Sequence, residues 1–169
     1  MARKTPDLLS SQAAYLVGLR WLTARELSSG QVRERLNRRG FAPQAIEDAI
    51  RRLIGERALN DRRAATALAR TEVTVRQRGP HRVLRRLLAM PIDRDLAKDV
   101  VREVFGDVDE SALIERALAK RLRRTGGRIT DAAQRRKLHA QLVRQGFSSS
   151  AAASHLRSRT RKGKNTDDE

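Results

Sequence analysis

The stretch Val32-x3-Leu36-x3-Gly40-Phe41-x4-Ile46-x3-Ile50 recurs twice further along the chain, and that recurrence decides the fold. Shifted by 51 residues it reads Val83-x3-Leu87-x3-Pro91-Ile92-x4-Ala97-x3-Val101; shifted by a further 55 it reads Leu138-x3-Leu142-x3-Gly146-Phe147-x4-Ala152-x3-Leu156. Val32 and Leu36 lie four apart, on one face of a helix. Gly40 and Gly146 stand where the residue beyond a helix C-terminus adopts the left-handed conformation, which glycine reaches without strain. Pro91 stops the middle copy differently, having no amide hydrogen and clashing with the preceding turn. One apolar anchor follows each stop (Phe41, Ile92, Phe147). A helix start comes next: Asp93 and Ser148 are good N-caps, and Ala42 precedes Pro43, a favoured first helical residue.

Another helical stretch precedes each copy. In the first, Ala14, Val17, Trp21 and Ala24 keep helical spacing, and Ser28-x-x-Gln31 reads as a capping box. In the second, Asn60-Asp61 caps a helix through Ala64, Ala65 and Leu68 towards Arg78-Gly79, and Pro80 opens its successor. In the third, Asp109 caps a helix carrying Leu113, Ala117 and Leu122, Gly126-Gly127 ends it, and Thr130 or Asp131 caps the next. The expectation is an all-α chain of three tandem three-helix repeats, residues 11–58, 59–107 and 108–157. Residues 1–10 are expected to be loose, and the charged stretch 158–169 to be a disordered tail. A unit of ~50 residues is marginal alone, so the repeats should stack end to end as an elongated, curved array.

Composition agrees with that reading and excludes much else. Leu, Ile, Val and Phe supply 39 of 169 residues and Ala another 23, while aromatics make up only 3%. Strand formers are scarce and the best helix former is abundant. There is no cysteine, which removes disulfides, thiol catalysis and Cys-ligated metal centres. No apolar run approaches the ~20 residues needed to cross a bilayer, and Met1-Ala2-Arg3-Lys4 leads into no secretory signal. A soluble cytoplasmic protein is expected.

The formal net charge is +17, and 31 of the 37 basic residues are Arg. A bias towards Arg codons accounts for Arg over Lys but not for the excess itself. Such a charge draws in a polyanion. It is also unevenly placed, since Asp93 to Glu110 holds seven acidic residues against three basic ones. Before that segment come Arg82, Arg85 and Arg86. After it come Arg116, Lys120, Arg121, Arg123, Arg124 and Arg128, then Arg135, Arg136 and Lys137. Arg116, Lys120, Arg123 and Arg124 share one helix flank. These twelve are the candidate nucleic-acid or filament contacts, set against the plain alternative that a charge run on a helix is a solvated face. Tyr15, Trp21, Phe41, Phe105 and Phe147 read as core anchors, so no base-stacking platform is visible, and contact should favour phosphates over bases.

The spacing of the repeats, the Arg38-Arg39-Gly40-Phe41 turn, the Leu59-Asn60-Asp61 step, the Arg78-Gly79-Pro80 link and the closing Leu142-Val143-Arg144-Gln145-Gly146-Phe147-Ser148 resemble the RecX family of bacterial recombination regulators. The resemblance covers about residues 12 to 157, and Pro91 departs from the glycine typical of its place. It implies three tandem three-helix repeats and a non-enzymatic protein. It also implies binding in the groove of the RecA filament on DNA, with inhibition of the recombinase's ATPase, strand-exchange and coprotease activities. The expected partners are the RecA filament and the DNA phosphate backbone, without a membrane, for a monomer.

Catalysis is not supported by the residues themselves. His81, His139 and His155 come from separate helices with no carboxylate or Cys spacing that builds a triad, and two His make a poor zinc site. Gly126-Gly127 lacks the Lys of a phosphate loop, and Asp107-x-Asp109-Glu110 lacks the Gly and distal Glu of a calcium loop. No cofactor or metal is expected. The alternative function is an autonomous DNA-binding protein built from helix-turn-helix-like units. Gln44 suits base reading there, but Asp95 and Ser150 at the equivalent positions form no consistent surface.

Overall fold

The computed structural model describes residues 7–123, 129 and 131–164. Among them are nine α-helices and no strand: α1 Ser11–Ala24, α2 Ser29–Arg38, α3 Pro43–Gly55, α4 Asp61–Thr74, α5 Pro80–Leu88, α6 Arg94–Gly106, α7 Glu110–Leu122, α8 Ala132–Gln145 and α9 Ser149–Lys164. The all-α class is as expected, and α2 to α9 begin where their starts were read, whereas no cap was read for α1. Two compact units emerge, one running to Leu68 and including Leu87–Ala97, the other holding Ala69–Arg86 and everything from Lys98.

In the first unit α1 and α2 pack on α3. Val32, Leu36, Phe41, Ile46, Ile50 and Leu53 fill the core together with Ala14, Tyr15, Leu27 and Leu59. The Ser28 hydroxyl accepts from the Gln31 amide while the Gln31 side chain accepts from the Ser28 amide, so the capping box is complete. Gly40 closes α2 at φ +83°. Asn60 and Asp61 divide their work: the Asn60 side chain caps α4 through the Arg63 amide, whereas the Asp61 carboxylate accepts from the Ser29 amide at 2.6 Å and the Ser29 hydroxyl at 2.7 Å.

Tyr15 is the buried anchor expected. Its hydroxyl donates to Glu56 at 2.5 Å, and the Arg52 guanidinium lies 3.9 Å from its ring centre. Trp21 differs from expectation in being only half-buried, with the guanidiniums of Arg39 and Arg35 over its ring at 5.1 and 5.7 Å. Residues 7–10 are not loose: Ser10 caps α1 through the Ala13 amide, and the Leu8 carbonyl accepts from the Ala42 amide.

In the second unit α7, α8 and α9 pack on one another. Asp109 caps α7 through the Ala112 amide and Asp131 caps α8 through the Gln134 amide at 2.7 Å, while Thr130 lies outside the described residues. Gly146 ends α8 at φ +100°. Three boundaries depart from the sequence reading. Helix α4 ends at Thr74 rather than near Arg78, because Gln77 takes the left-handed turn at φ +53°. Helix α7 is over at Leu122, ahead of Gly126 and Gly127, which lie outside the described residues. The expected disordered tail is corrected as far as Lys164, since α9 continues to that residue. Tertiary contact explains it: Arg159 pairs with Glu115 on α7, whose other oxygen meets His155 at 2.9 Å. His155 is thereby mostly covered.

Candidate nucleic-acid interface

The described candidates, Arg82, Arg85, Arg86, Arg116, Arg123, Arg135, Arg136 and Lys137, all lie in the second unit. Burial of alternate helical turns turns them outward. On α5 Val83 and Leu87 are buried, which leaves Arg82, Arg85 and Arg86 exposed; on α8 Leu138 and Leu142 are buried, which leaves Arg135, Arg136 and Lys137 exposed. Arg116 is exposed on α7, where Leu113, Ile114, Ala117 and Leu118 are buried, and Arg123 is exposed at its C-cap. Lys120 and Arg121 fall on α7 with side chains outside the described residues, and Arg124 and Arg128 lie outside them altogether.

A contact between helix ends brings two of the basic runs onto one strip. The Gly79 amide donates to the Gln145 carbonyl and the His81 amide to the Gly146 carbonyl, each at 3.0 Å. The first turn of α5 therefore satisfies the last carbonyls of α8, and opposite helix-dipole ends meet. Arg82 reaches the Arg144 carbonyl at 3.4 Å. Arg135 and Arg136 sit about ten residues back along α8, or ~15 Å at 1.5 Å per residue. Cations thus border α8 from one end to the other.

Their charge is uncompensated among the described residues of the unit. None of the eight described candidates pairs with a carboxylate among the described residues. The first unit behaves otherwise, since Arg33 meets Glu47 and Arg63 meets Glu26, each at 2.6 Å, and Arg52 meets Glu56 at 2.8 Å. Clustered like charges without partners repel one another and favour an outside anion. His139 and Arg157 line one groove with Arg135 and Arg136, and the sequence reading passed over them. Arg157, the last residue of the expected third repeat, lies in α9 across a groove of about 320 Å³ from Arg135, Arg136 and His139.

No metal centre accompanies the strip: among the described residues no three His, Asp or Glu side chains group to hold an ion. Gln44, the one suitable base-reading residue, is bonded to Asp48 at 3.1 Å. No helix among the described residues is long and apolar enough to cross a membrane.

Comparison with known proteins bears on all of this. Residues 14–53 match the family model described as the first three-helix domain of RecX. A regulatory protein RecX from Trichlorobacter lovleyi is 33% identical over 149 residues, which cover 79% of this chain and 92% of that protein. The chain belongs to the RecX family. A RecX from Prosthecochloris aestuarii is 30% identical over 129 residues, covering 76% of this chain and 82% of its own length. The crystal structure of RecX from Lactobacillus salivarius superposes with a TM-score of 0.75 over 88% of this chain and 95% of that one, at 20% identity, and so speaks for the fold. The domain match ends inside α3, so the basic strip of this RecX-family chain lies in the part covered by the longer similarities.

Proposed function

We propose that this RecX-family chain is a non-enzymatic regulator that binds the RecA–DNA filament and inhibits the recombinase's ATPase, strand-exchange and coprotease activities. The observation that carries the reading is the strip of unpaired cations along α5 and α8, which matches an anionic partner, joined to membership of a family of regulatory proteins. In this reading the repeats 11–58, 59–107 and 108–157 form the scaffold, the strip meets DNA phosphates, and a monomer acts in the cytoplasm. Phosphate contacts position a protein without reading sequence, which suits a partner whose DNA has no fixed sequence.

The test is DNA-dependent ATP hydrolysis by purified RecA with and without the protein. Inhibition at stoichiometric or lower amounts is expected, and it should weaken when Arg85 and Arg86 are both changed to Glu. An ATPase rate indifferent to the wild-type protein would sink the proposal.

A further inference from the structure

The groove between α8 and α9 combines two chemistries. Arg135, Arg136 and His139 come from α8, and Arg157 comes from α9, while the half-buried Ala153 of α9 supplies apolar surface over the buried Leu156. Three guanidiniums around one concavity repel each other, and no carboxylate among the described residues pairs with any of them. The nearby acid, Glu115, is already engaged by His155 and Arg159 of α9. Arg135 and Arg136 also sit near the N-terminal end of α8, where a cation gains nothing from the helix dipole. His139 is held in place, with Nε2 3.2 Å from both the carbonyl and the hydroxyl oxygen of Ser149. The cationic rim is therefore built and, among the described residues, without counter-charge.

We infer that this groove is a subsite for one unstacked nucleotide of single-stranded nucleic acid, with its phosphates on Arg135, Arg136 and Arg157 and its base against Ala153. The volume lies at the lower end of the ~300–1,000 Å³ typical of small-ligand sites, which suits one nucleotide and excludes a duplex. An acidic peptide would use the guanidiniums but leave the apolar surface unfilled and its own backbone amides without acceptors. A base uses both, because a guanidinium plane stacks on a base as an aromatic ring does. This inference rests on the proposed function only in supposing that DNA is the anion; it adds that the chain grips an exposed single strand by itself.

The experiment measures fluorescence anisotropy of a labelled short oligothymidylate with full-length protein at ~0.15 M salt. Ala153→Trp fills the groove without altering charge. Arg136→Ala with Arg157→Ala removes two rim cations, and Arg20→Ala with Arg70→Ala removes the same charge elsewhere. Circular dichroism checks that each variant folds. The groove predicts a five-fold or greater loss of affinity for the first two proteins and a smaller loss for the third. It also predicts a salt slope shallower by about 1.4 for the rim variant, from ~0.7 per phosphate on single strands. An abasic strand of equal length should bind wild type several-fold more weakly, a readout that needs no variant.

Equal affinity for base-bearing and abasic strands, or equal losses in the rim and distant double variants, would overturn the subsite. So would displacement of the strand by polyglutamate at matched charge concentration. RecA ATPase is recorded in parallel. Protein that inhibits RecA while failing these tests overturns the groove alone, and protein that passes them while leaving RecA untouched overturns the filament reading alone.

Discussion

Gly79 and Gly146 meet backbone against backbone: a Cβ on Gly79 would lie 2.5 Å from the Gly146 carbonyl carbon, and a Cβ on Gly146 would lie 2.4 Å from the Arg82 amide nitrogen. Neither distance leaves room for a methyl group. The first turn of α5 is seated on the end of α8 because both residues lack side chains, and this seating places Arg82 beside Arg144.

Gly146→Ala should therefore cost ~2–5 kcal/mol, combining ~1–2 kcal/mol for a left-handed L-residue with ~1–3 kcal/mol of overpacking against backbone. Gly40 is the internal comparison, since it is also left-handed but its Cβ would touch only the tip of Leu8 at 3.6 Å. Gly40→Ala should cost only the conformational part. Urea denaturation compares the two, and equal losses would refute the account of the α5–α8 contact.

Asp61 should matter beyond its place at the start of α4. Both its oxygens are used by Ser29, across to the first residue of α2. Asp61→Ala leaves the Ser29 amide without its charged acceptor and should destabilise by ~1–3 kcal/mol. Asn60→Ala removes an ordinary N-cap and should cost ~1 kcal/mol. A smaller effect at position 61 than at position 60, in thermal or urea unfolding, would contradict this division of labour.

The Tyr15–Glu56 pair should give the stability of the protein a pH signature. Hydrogen bonds from the Tyr15 hydroxyl and then the Arg52 guanidinium hold the Glu56 carboxyl below its ordinary value, and the same bond to Glu56 raises Tyr15. A depressed acid contributes stability above its unfolded value near 4.5, and that contribution fades as pH falls through the lower folded value. A raised phenol contributes below its unfolded value near 10 and loses the contribution as pH rises through the higher folded one. Tyr15→Phe should therefore lower the urea midpoint at pH 7 and change it much less at pH 3. A difference between the two proteins that is the same at both pH values would contradict the linkage.

Arg159 and Glu115 provide a test of the extended α9. With Arg159 about three-quarters buried, their coupling in a double-mutant cycle should be ~1 kcal/mol. Deleting residues 158–169 should match Arg159→Ala or exceed it. Zero coupling would return those residues to the disordered tail expected from their composition.

Helix starts were legible because a cap is a local device: Ser28 with Gln31, Asn60, Asp93, Asp109, Asp131 and Ser148 each bond an amide two or three residues away. Stops at Gly40 and Gly146 were legible because glycine advertises the left-handed turn. The end of α4 was not, since Gln77 makes the same turn at φ +53° with a residue that gives no such signal. Arg57, at φ +58° beyond α3, is alike. Of the candidate site, the exposure of Arg82, Arg85, Arg86, Arg135, Arg136 and Lys137 follows from the apolar period of their helices. The partnership of Arg157 with Arg135 and Arg136 does not, because it depends on how α9 crosses α8.

The sequence by itself determined the nine helices of the described residues, their order and the repeating turn, since caps, glycines and the spacing of Val, Leu and Ile act within a few residues. It also determined that many cations would face outward. Only the tertiary structure decided which of them stay uncompensated: Arg33, Arg52 and Arg63 find carboxylates, while Arg85, Arg135, Arg136 and Arg157 find none among the described residues. Arg52 meets Glu56 within one helix turn, but the partner of Arg63 lies 37 residues away in sequence and that of Arg159 lies 44 away. Long-range pairing of this kind is set by packing, and so are the groove between α8 and α9 and the seat of Gly79 on Gly146.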